Sequence, residues 1–222
     1  MTSCKYCNSS CIKYGKQKNN QQRFKCKGCG RTQQGSYTKK AYSRTDIKEW
    51  IAGLVKESCG IRSIARLLDL SINTVMNLIK RIAAKIKKPA IILRQAAVEV
   101  DELKTYVGRK KNQYWIAYAL SRQTGKVVDF IVGKRTKRTL TVLTDALLLA
   151  KADRMYTDKL VIYRTLIPKL IHKPGGRLTN HIERNNLNLR THLKRLSRRT
   201  ICFSRSAVML TACLRIYFWY KG

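Results

Sequence analysis

Two Cys-x-x-Cys pairs near the N-terminus constrain the fold of this chain more than any other feature. Cys4 and Cys7 form the first pair, and Cys26 and Cys29 form the second after 18 intervening residues. Two such pairs can place four thiolates around one tetrahedral zinc ion, at a spacing typical of a zinc ribbon. The alternative is four unrelated buried or free thiols. Residues 1–40 are otherwise polar, so the pattern predicts a small ribbon whose folding energy comes largely from bound Zn²⁺.

The predicted zinc site is structural, because four cysteine ligands leave no open position for water. Cys11 is spare and is expected to be a bystander. Three further cysteines lie in apolar surroundings and are expected to be small core residues: Cys59, Cys202 and Cys213.

The charge of the chain points to a polyanionic partner. Lys and Arg number 47 against 12 Asp and Glu, which gives a net charge of +35 over 222 residues. Such a balance favours DNA or RNA, because bound cations release counterions from the phosphates. A ribosomal-type RNA binder and a protein on an acidic membrane surface remain alternatives. The sequence shows neither a long apolar run nor a signal-peptide pattern, so we expect a location in the bacterial cytoplasm, at the nucleoid.

Residues 41–90 show helical periodicity. In the stretch GIRSIARLLDLSINTVMNLIKRIAAKI, the second helix presents one apolar face formed by Val75, Leu78, Ile79 and Ile82. Ser71 is a suitable N-cap, and the break before it has the length of a helix-turn-helix connection. An earlier helix from about residue 44 to 57 would complete a three-helix unit around Trp50 and Leu54.

The second helix of this pair is the candidate DNA-recognition helix. Its early polar residues would reach base edges, and its later cations would contact phosphates. The first set is Asn73, Thr74 and Asn77, and the second is Lys80 and Arg81. The alternative is an ordinary helical hairpin that makes no contact with DNA.

Residues 95–222 predict an α/β domain. Three strands come first, with a turn at Gln123-Thr124-Gly125 between the second and third. An amphipathic helix, a short strand and further helices follow. This is the order of a ribonuclease-H-like fold. The helix within TNHIERNNLNLRTHLKRLSRRT would bury Ile182, Leu189, Leu193 and Leu196.

Acidic residues are scarce here, so their positions are informative. Asp101 lies within the first strand, Asp158 ends a later strand and Glu183 begins a helix rich in arginine and lysine. Carboxylates in so basic a chain suit hard divalent cations. The basic residues near Glu183 would clamp the DNA backbone: Arg184, Arg190, Lys194 and Arg195.

Each acid also has a simpler interpretation. Asp101 would be a solvated strand residue, Asp158 a helix N-cap and Glu183 a surface charge. Periodicity alone does not select these three acids over the other carboxylates of the domain.

Several motifs are similar to those of the insertion-sequence-one family of transposases. The N-terminal half resembles the family through CKYC, CKGC and ARLLDLSINTVMNLIK. Both halves lie here in one continuous chain. The C-terminal half resembles its catalytic part through VDELKTYVG, MYTDKLVIY and HIERNNLNLRTHLKRLSRRTICFSRS.

The resemblance implies a transposase with an Asp-Asp-Glu site formed by Asp101, Asp158 and Glu183. It implies two Mg²⁺ or Mn²⁺ ions at that site, recognition of terminal inverted repeats, strand transfer to target DNA, and a homodimer or higher assembly on DNA. Tyr163 and Arg190, which lie near the motifs, are expected to position DNA. The rival interpretations are a catalytically inactive DNA-binding repressor of the element and a nuclease acting on RNA–DNA hybrids.

Overall fold

The computed structural model describes residues 2–17, 20–34, 46–90, 96–175 and 178–221. The chain forms two compact units, Met1–Thr45 and Asp46–Gly222. Each is described by itself below. Within the described ranges, none of the helices has the length and apolar character needed to cross a membrane.

The first unit is a three-stranded antiparallel sheet with little apolar interior. Its strands are β1 (Cys11–Lys16), β2 (Gln22–Cys26) and β3 (Thr32–Gln34), in the order β1-β2-β3. Cys4 and Cys26 are its most buried side chains, at 1% and 2% exposed. Gly30 follows the second cysteine pair with a positive φ of 71°, a conformation that glycine adopts without steric cost. The cysteines therefore take the place of a hydrophobic core.

The second unit begins with three helices, α1 (Ile47–Lys56), α2 (Ile61–Leu67) and α3 (Ile72–Lys85). The backbone nitrogen of Thr74 donates to the Ser71 hydroxyl at 3.1 Å, which confirms the predicted N-cap of α3. The predicted inner face of α3 is confirmed as well, because all four of its apolar residues are buried.

The interior of α1 differs from the prediction. Its buried residues are Ile47, Ile51, Ala52 and Val55. Trp50 is instead 58% exposed, and its indole nitrogen donates to the Asp46 carboxylate at 2.8 Å. The prediction that this helix packs around Trp50 was therefore wrong, because the side chain finds its polar partner one turn earlier on the outer face. The predicted start near residue 44 lies outside the described residues.

A five-stranded mixed sheet follows, and it confirms the predicted α/β class. Its strands are β4 (Ala97–Tyr106), β5 (Gln113–Ser121), β6 (Val127–Gly133), β7 (Arg154–Thr157) and β8 (His172–Pro174). The spatial order is β6-β5-β4-β7-β8, with β4 antiparallel to β5 and parallel to β7. The helices are α4 (Lys137–Leu149), α5 (Val161–Leu166), α6 (Asn180–His192), a 3-10 helix (Lys194–Leu196) and α7 (Ala207–Trp219).

The central strand β4 has a core on each side, because successive side chains of a strand point to opposite faces. Val98 and Val100 pack with the core of α4 and α5. Leu103 packs with the core of α6 and α7. By the same alternation, the neighbours Asp101 and Glu102 belong to opposite faces of the sheet.

Helix α7 connects the helical module to the sheet. It packs against α1 and α3 as well as β6. The Arg215 guanidinium donates to the Ile86 carbonyl at 2.6 Å, and Lys88 forms a 2.6 Å ion pair with Asp129. These contacts place the three helices and the sheet in one compact unit, and the division between residues 41–90 and 95–222 stays a prediction.

Two details of the C-terminal region differ from the sequence interpretation. Leu193 and Leu196 are buried as expected, but α6 ends at His192 and these residues follow it. Cys213 is buried, whereas Cys202 is exposed. The expectation that Cys202 is a core residue was wrong, because it lies in an irregular segment and not in a strand or helix.

Candidate functional site

Asp101 and Asp158 lie side by side on neighbouring parallel strands. The register of β4 and β7 pairs Val100 with Thr157, so the next residue on each strand is an aspartate. Ligand oxygens of Asp101, Glu102 and Asp158 all lie within 4.8 Å of one another. The structure therefore brings together two of the three acids named from the sequence and adds Glu102.

Asp101 is half-buried and held on both sides. One carboxylate oxygen accepts the backbone nitrogen of Glu102 at 2.7 Å, and the other accepts the Asn186 side-chain amide at 2.7 Å. Burial raises the pKa of Asp101 to about 6, and the nearby charges of Glu102 and Asp158 add to the effect. A cation at this position would relieve that crowding of negative charge.

Asp158 faces solvent more than its neighbours, with 40% of its side chain exposed. Its Oδ1 accepts a hydrogen bond from the backbone nitrogen of Leu160 at 2.9 Å, which stabilises the turn before α5. Leu160 and not Asp158 is the N-cap of α5, so the capping role considered for Asp158 was wrong. Its Oδ2 lies 3.8 Å from the guanidinium of Arg135. Oδ2 is therefore the freer oxygen for a metal ligand.

Glu102 is braced on the opposite face of the sheet. Its side chain is only 1% exposed, and its Oε2 forms a 3.0 Å ion pair with Arg135. Its Oε1 accepts a hydrogen bond from the Tyr163 hydroxyl. Tyr163 is fully buried, and burial raises the pKa of its hydroxyl well above the usual range. A side chain with no exposed surface does not reach DNA, so the expectation that Tyr163 positions DNA was wrong.

Glu183 lies in the first turn of α6 and is exposed. It is not part of the cluster of Asp101, Glu102 and Asp158. Its Oε1 accepts the Thr179 hydroxyl at 3.3 Å. Residues three apart share one face of a helix, so Glu183 and Asn186 project on the same side, and Asn186 contacts Asp101.

The start of α6 is attached to β4 through Glu99. This carboxylate is fully buried, and its Oε2 accepts the backbone nitrogen of Ile182 at 2.8 Å. Its Oε1 contacts His181 at 2.7 Å and Arg122 at 3.0 Å. An anionic acceptor satisfies an otherwise unpaired helix N-terminal donor, so the turn carrying Glu183 is held beside the strand carrying Asp101.

Asn186, Glu102 and Glu99 were missed by sequence reasoning. Their positions carry a weak signal only: Glu99 and Glu102 flank Asp101, and Asn186 lies one turn after Glu183. Acidic residues inside an otherwise apolar strand and an asparagine on the face of a predicted catalytic helix are the patterns that could have indicated them.

In the first unit, the four cysteine sulfurs converge. Sγ of Cys4 lies 3.6 Å from Sγ of Cys29, and Sγ of Cys7 lies 3.4 Å from Sγ of Cys26. A tetrahedral zinc ion with Zn–S bonds of about 2.3 Å separates its sulfurs by about 3.8 Å, close to these values. Hydrogen bonds from Ser9 lower the pKa of Cys7 to about 6, whereas burial and the other three sulfurs raise the pKa of Cys29 to about 12. The donor set and its spacing fit zinc.

Four of the five residues proposed for DNA contact on α3 lie on its exposed surface: Asn73, Asn77, Lys80 and Arg81. Thr74 is half-buried, and its hydroxyl lies 2.8 Å from the Ser71 hydroxyl. Thr74 therefore helps to cap α3, whereas the other four remain candidates for contact with DNA.

The cations near Glu183 divide into two groups. Arg184 and Lys194 are exposed. Arg190 donates to the carbonyls of Leu196 and Lys104, at 2.9 and 3.3 Å. Arg195 donates to the Ser204 hydroxyl at 3.0 Å. The second group therefore also holds the chain that follows α6.

Comparison with known proteins identifies the class of this protein as a transposase. Residues 93–219, more than half of the chain, match a family model described as IS1 transposase. The chain belongs to the IS1 transposase family and is a transposase of an insertion sequence.

Individual relatives are similar over half of the chain. The chain is 43% identical over 108 residues to the insertion element iso-IS1n protein InsB of Shigella dysenteriae, covering 49% of this chain and 82% of that protein. Over the same length it is 40% identical to the insertion element IS1 protein InsB of Shigella flexneri, again covering 49% and 82%. A chain of the simian T-cell lymphotropic virus intasome in complex with PP2A regulatory subunit B56 gamma aligns with a TM-score of 0.38 and 16% identity, over 74% of this chain and 65% of that chain.

Proposed function

We propose that this transposase cleaves and joins DNA at the ends of its own element with a divalent-metal site formed by Asp101, Asp158 and Glu183. The observation that carries the proposal is the adjacency of Asp101 and Asp158 on parallel strands, with α6 attached to Asp101 through Asn186. The strand order around β4 supports a ribonuclease-H-like catalytic domain.

Glu183 is a better third ligand than Glu102 for a physical reason. The Glu102 side chain is 1% exposed, and each of its oxygens already has a partner in Arg135 or Tyr163. A metal that also contacts a DNA phosphate has to face solvent. Glu183 is exposed, on the side of α6 that faces Asp101, and its one described partner is a hydroxyl at 3.3 Å.

The oxygen-only donor set suits Mg²⁺ or Mn²⁺. Two such ions, when bound, activate the attacking water or 3′-hydroxyl and stabilise the leaving oxygen. Asn186 keeps Asp101 oriented by donating to its Oδ2. The Leu160 nitrogen does the same for Asp158 at Oδ1. Both carboxylates are therefore positioned before substrate arrives.

DNA recognition is assigned to the N-terminal half. The exposed polar face of α3 would read base edges in the major groove as a helix-turn-helix module does. The ribbon, stabilised by a structural zinc at Cys4, Cys7, Cys26 and Cys29, would add phosphate contacts. Together they would bind the terminal inverted repeats. A homodimer or larger assembly would hold two ends for transfer to target DNA.

The test is cleavage and joining of labelled element-end DNA by the full chain in Mg²⁺ or Mn²⁺. Glu183→Gln should abolish both reactions and keep end binding. Asp145→Asn is the matched control, because this exposed acid lies on α4, away from the site, and should retain activity. A wild-type chain that binds ends tightly but neither cleaves nor joins them would overturn the proposal in favour of an inactive repressor.

A further inference from the structure

A basic cavity lies at the C-terminal end of β4, beyond the part of this strand that pairs with β7. Its volume is about 370 Å³, and its lining includes the end of β4, the start of β5 and the chain after α6. Four of the lining residues are cations: Lys104, Lys110, Arg190 and Arg198. In the part of the chain that the structure describes, no acidic residue lines this cavity, and none of the four cations forms an ion pair with a carboxylate.

The four cations are crowded without a counter-charge. Burial and the nearby charge of Arg198 both lower the pKa of Arg190. Arg190 is fixed in place, because its two terminal nitrogens donate to the carbonyls of Leu196 and Lys104. Lys110 and Arg198 are exposed, so their charged ends are accessible to a bound anion. The ammonium of Lys104 lies over the Trp115 ring, 5.9 Å from its centroid, so it is already engaged there. Like charges held together in this way cost energy that an anion would offset.

The cavity is lined by residues of β4 that follow Asp101, so a DNA strand that runs along β4 from the carboxylates would reach it. Pairing between β4 and β7 ends at Val100 and Thr157, so the β7 side of β4 beyond Asp101 carries no strand. Lys104 and Tyr106 lie three and five residues beyond Asp101, about 10 to 17 Å at the rise of a strand. Adjacent phosphates of one strand of B-DNA lie about 7 Å apart through space, because the rise of about 3.4 Å is combined with the rotation of the helix, so that distance corresponds to about two to three nucleotides.

We propose that this cavity binds a backbone phosphodiester of the DNA strand whose scissile phosphate lies at the carboxylates, about two to three nucleotides from that phosphate. Lys110 and Arg198 contact the phosphate, and Arg190 holds the wall of the cavity in shape. The inference rests on the proposed function, because it takes the carboxylates as the point of cleavage. The strand is either that of the element end or that of the target.

The experiment replaces single phosphates by neutral methylphosphonates. Substrates carry one replacement at each position from one to eight nucleotides on either side of the reacting phosphate, in the element end or in the target. Binding is measured with the wild-type chain, Arg198→Gln, Lys110→Gln and the control Arg199→Gln. Arg199 is the next residue along, is exposed and does not line the cavity.

For one phosphate, about two to three positions from the reacting one, replacement should no longer affect binding by the cavity variants, although it still affects binding by the other two proteins. Its replacement should weaken binding by wild type and by Arg199→Gln about three- to tenfold, and binding by Arg198→Gln and Lys110→Gln by less than about twofold. The strand that carries this phosphate identifies end or target as the source. If every replacement weakens all four proteins equally, the cavity does not bind a phosphate and the inference is wrong.

Cleavage measured in the same samples separates this inference from the proposed function. If wild type cleaves DNA in a metal-dependent way but all four proteins respond equally to every phosphate replacement, only the cavity inference is overturned. If the cavity variants are insensitive to one phosphate replacement but wild type shows no cleavage, the cavity is supported as a phosphate site. That result overturns the catalytic assignment from which the position of the phosphate was argued.

Discussion

Asn186 on α6 donates a 2.7 Å hydrogen bond to the Oδ2 atom of Asp101 on β4. The side-chain Oδ1 of Asn186 in turn accepts a hydrogen bond from the Tyr118 hydroxyl at 2.9 Å. This chain of bonds sets the orientation of Asp101 from the helix that carries Glu183. A single asparagine thus couples two of the elements that carry the proposed metal ligands, β4 and α6.

Asn186→Leu should lower cleavage of element ends about 10- to 100-fold and raise the metal concentration needed for half-maximal rate, because Asp101 loses its orienting donor. The measurement is the rate against Mg²⁺ concentration at saturating DNA. Asn188→Leu is the control, since it changes the same helix without removing a bond to Asp101. An unchanged metal requirement in Asn186→Leu would contradict the positioning role.

Glu102 and Glu183 should differ in what their loss affects. Glu102→Gln should lower the free energy of unfolding by about 1–3 kcal/mol, because it leaves Arg135 without its buried anionic partner. Glu183→Gln should change that free energy by less than about 0.5 kcal/mol, as expected of an exposed side chain, while abolishing cleavage. Urea unfolding and the cleavage assay, applied to both variants, check this pair of outcomes. If both variants lost the same free energy of unfolding, the structural role assigned to Glu102 would be contradicted.

The fold of the second unit follows from the sequence where periodicity is strong. The apolar positions of α3 repeat at helical spacing, and all four residues predicted inside are buried. Trp50 was misplaced because its partner, the Asp46 carboxylate, lies on the outer face of α1. A large apolar side chain does not by itself show which face of a helix is buried.

The candidate site was predictable only in part. Asp101 and Asp158 lie within or at the end of an apolar strand, but only the resemblance to a known family selected them from the other carboxylates. The bracing contacts could not be predicted, because Tyr163 and Glu102 are 61 residues apart and Asn186 and Asp101 are 85 apart. Such pairs depend on the order of strands and on where α6 begins, which local periodicity does not specify.

Removal of zinc should unfold the first unit. One zinc per chain is expected in the purified protein, and a strong chelator should remove it and expose four thiols to a thiol reagent. Cys7→Ser should lose the metal, whereas Cys11→Ser should keep it, because the thiol of Cys11 is not part of the four-sulfur cluster. Zinc content that is unaffected by Cys7→Ser would contradict the ribbon assignment.

Asn77 and Lys80 on α3 should contribute differently to DNA binding. Asn77→Ala should lower discrimination between element ends and unrelated DNA by about 1–3 kcal/mol, because it removes a contact to a base edge. Lys80→Ala should weaken both complexes alike and reduce the slope of log affinity against log salt by about one, because it removes a phosphate contact. Competition binding over a range of salt concentrations measures both effects. Equal loss of specific and non-specific binding in Asn77→Ala would contradict base contact by this residue.

Replacing a carboxylate with a thiolate shows whether Asp101, Asp158 and Glu183 bind the catalytic metal. Mn²⁺ accepts sulfur ligands more readily than Mg²⁺ does. Asp158→Cys and Glu183→Cys should therefore be inactive in Mg²⁺ and regain cleavage of element ends in Mn²⁺. Glu102→Cys should show no such dependence on the metal. Rescue of Glu102→Cys by Mn²⁺, with none for Glu183→Cys, would show that the third ligand lies on β4 and not on α6.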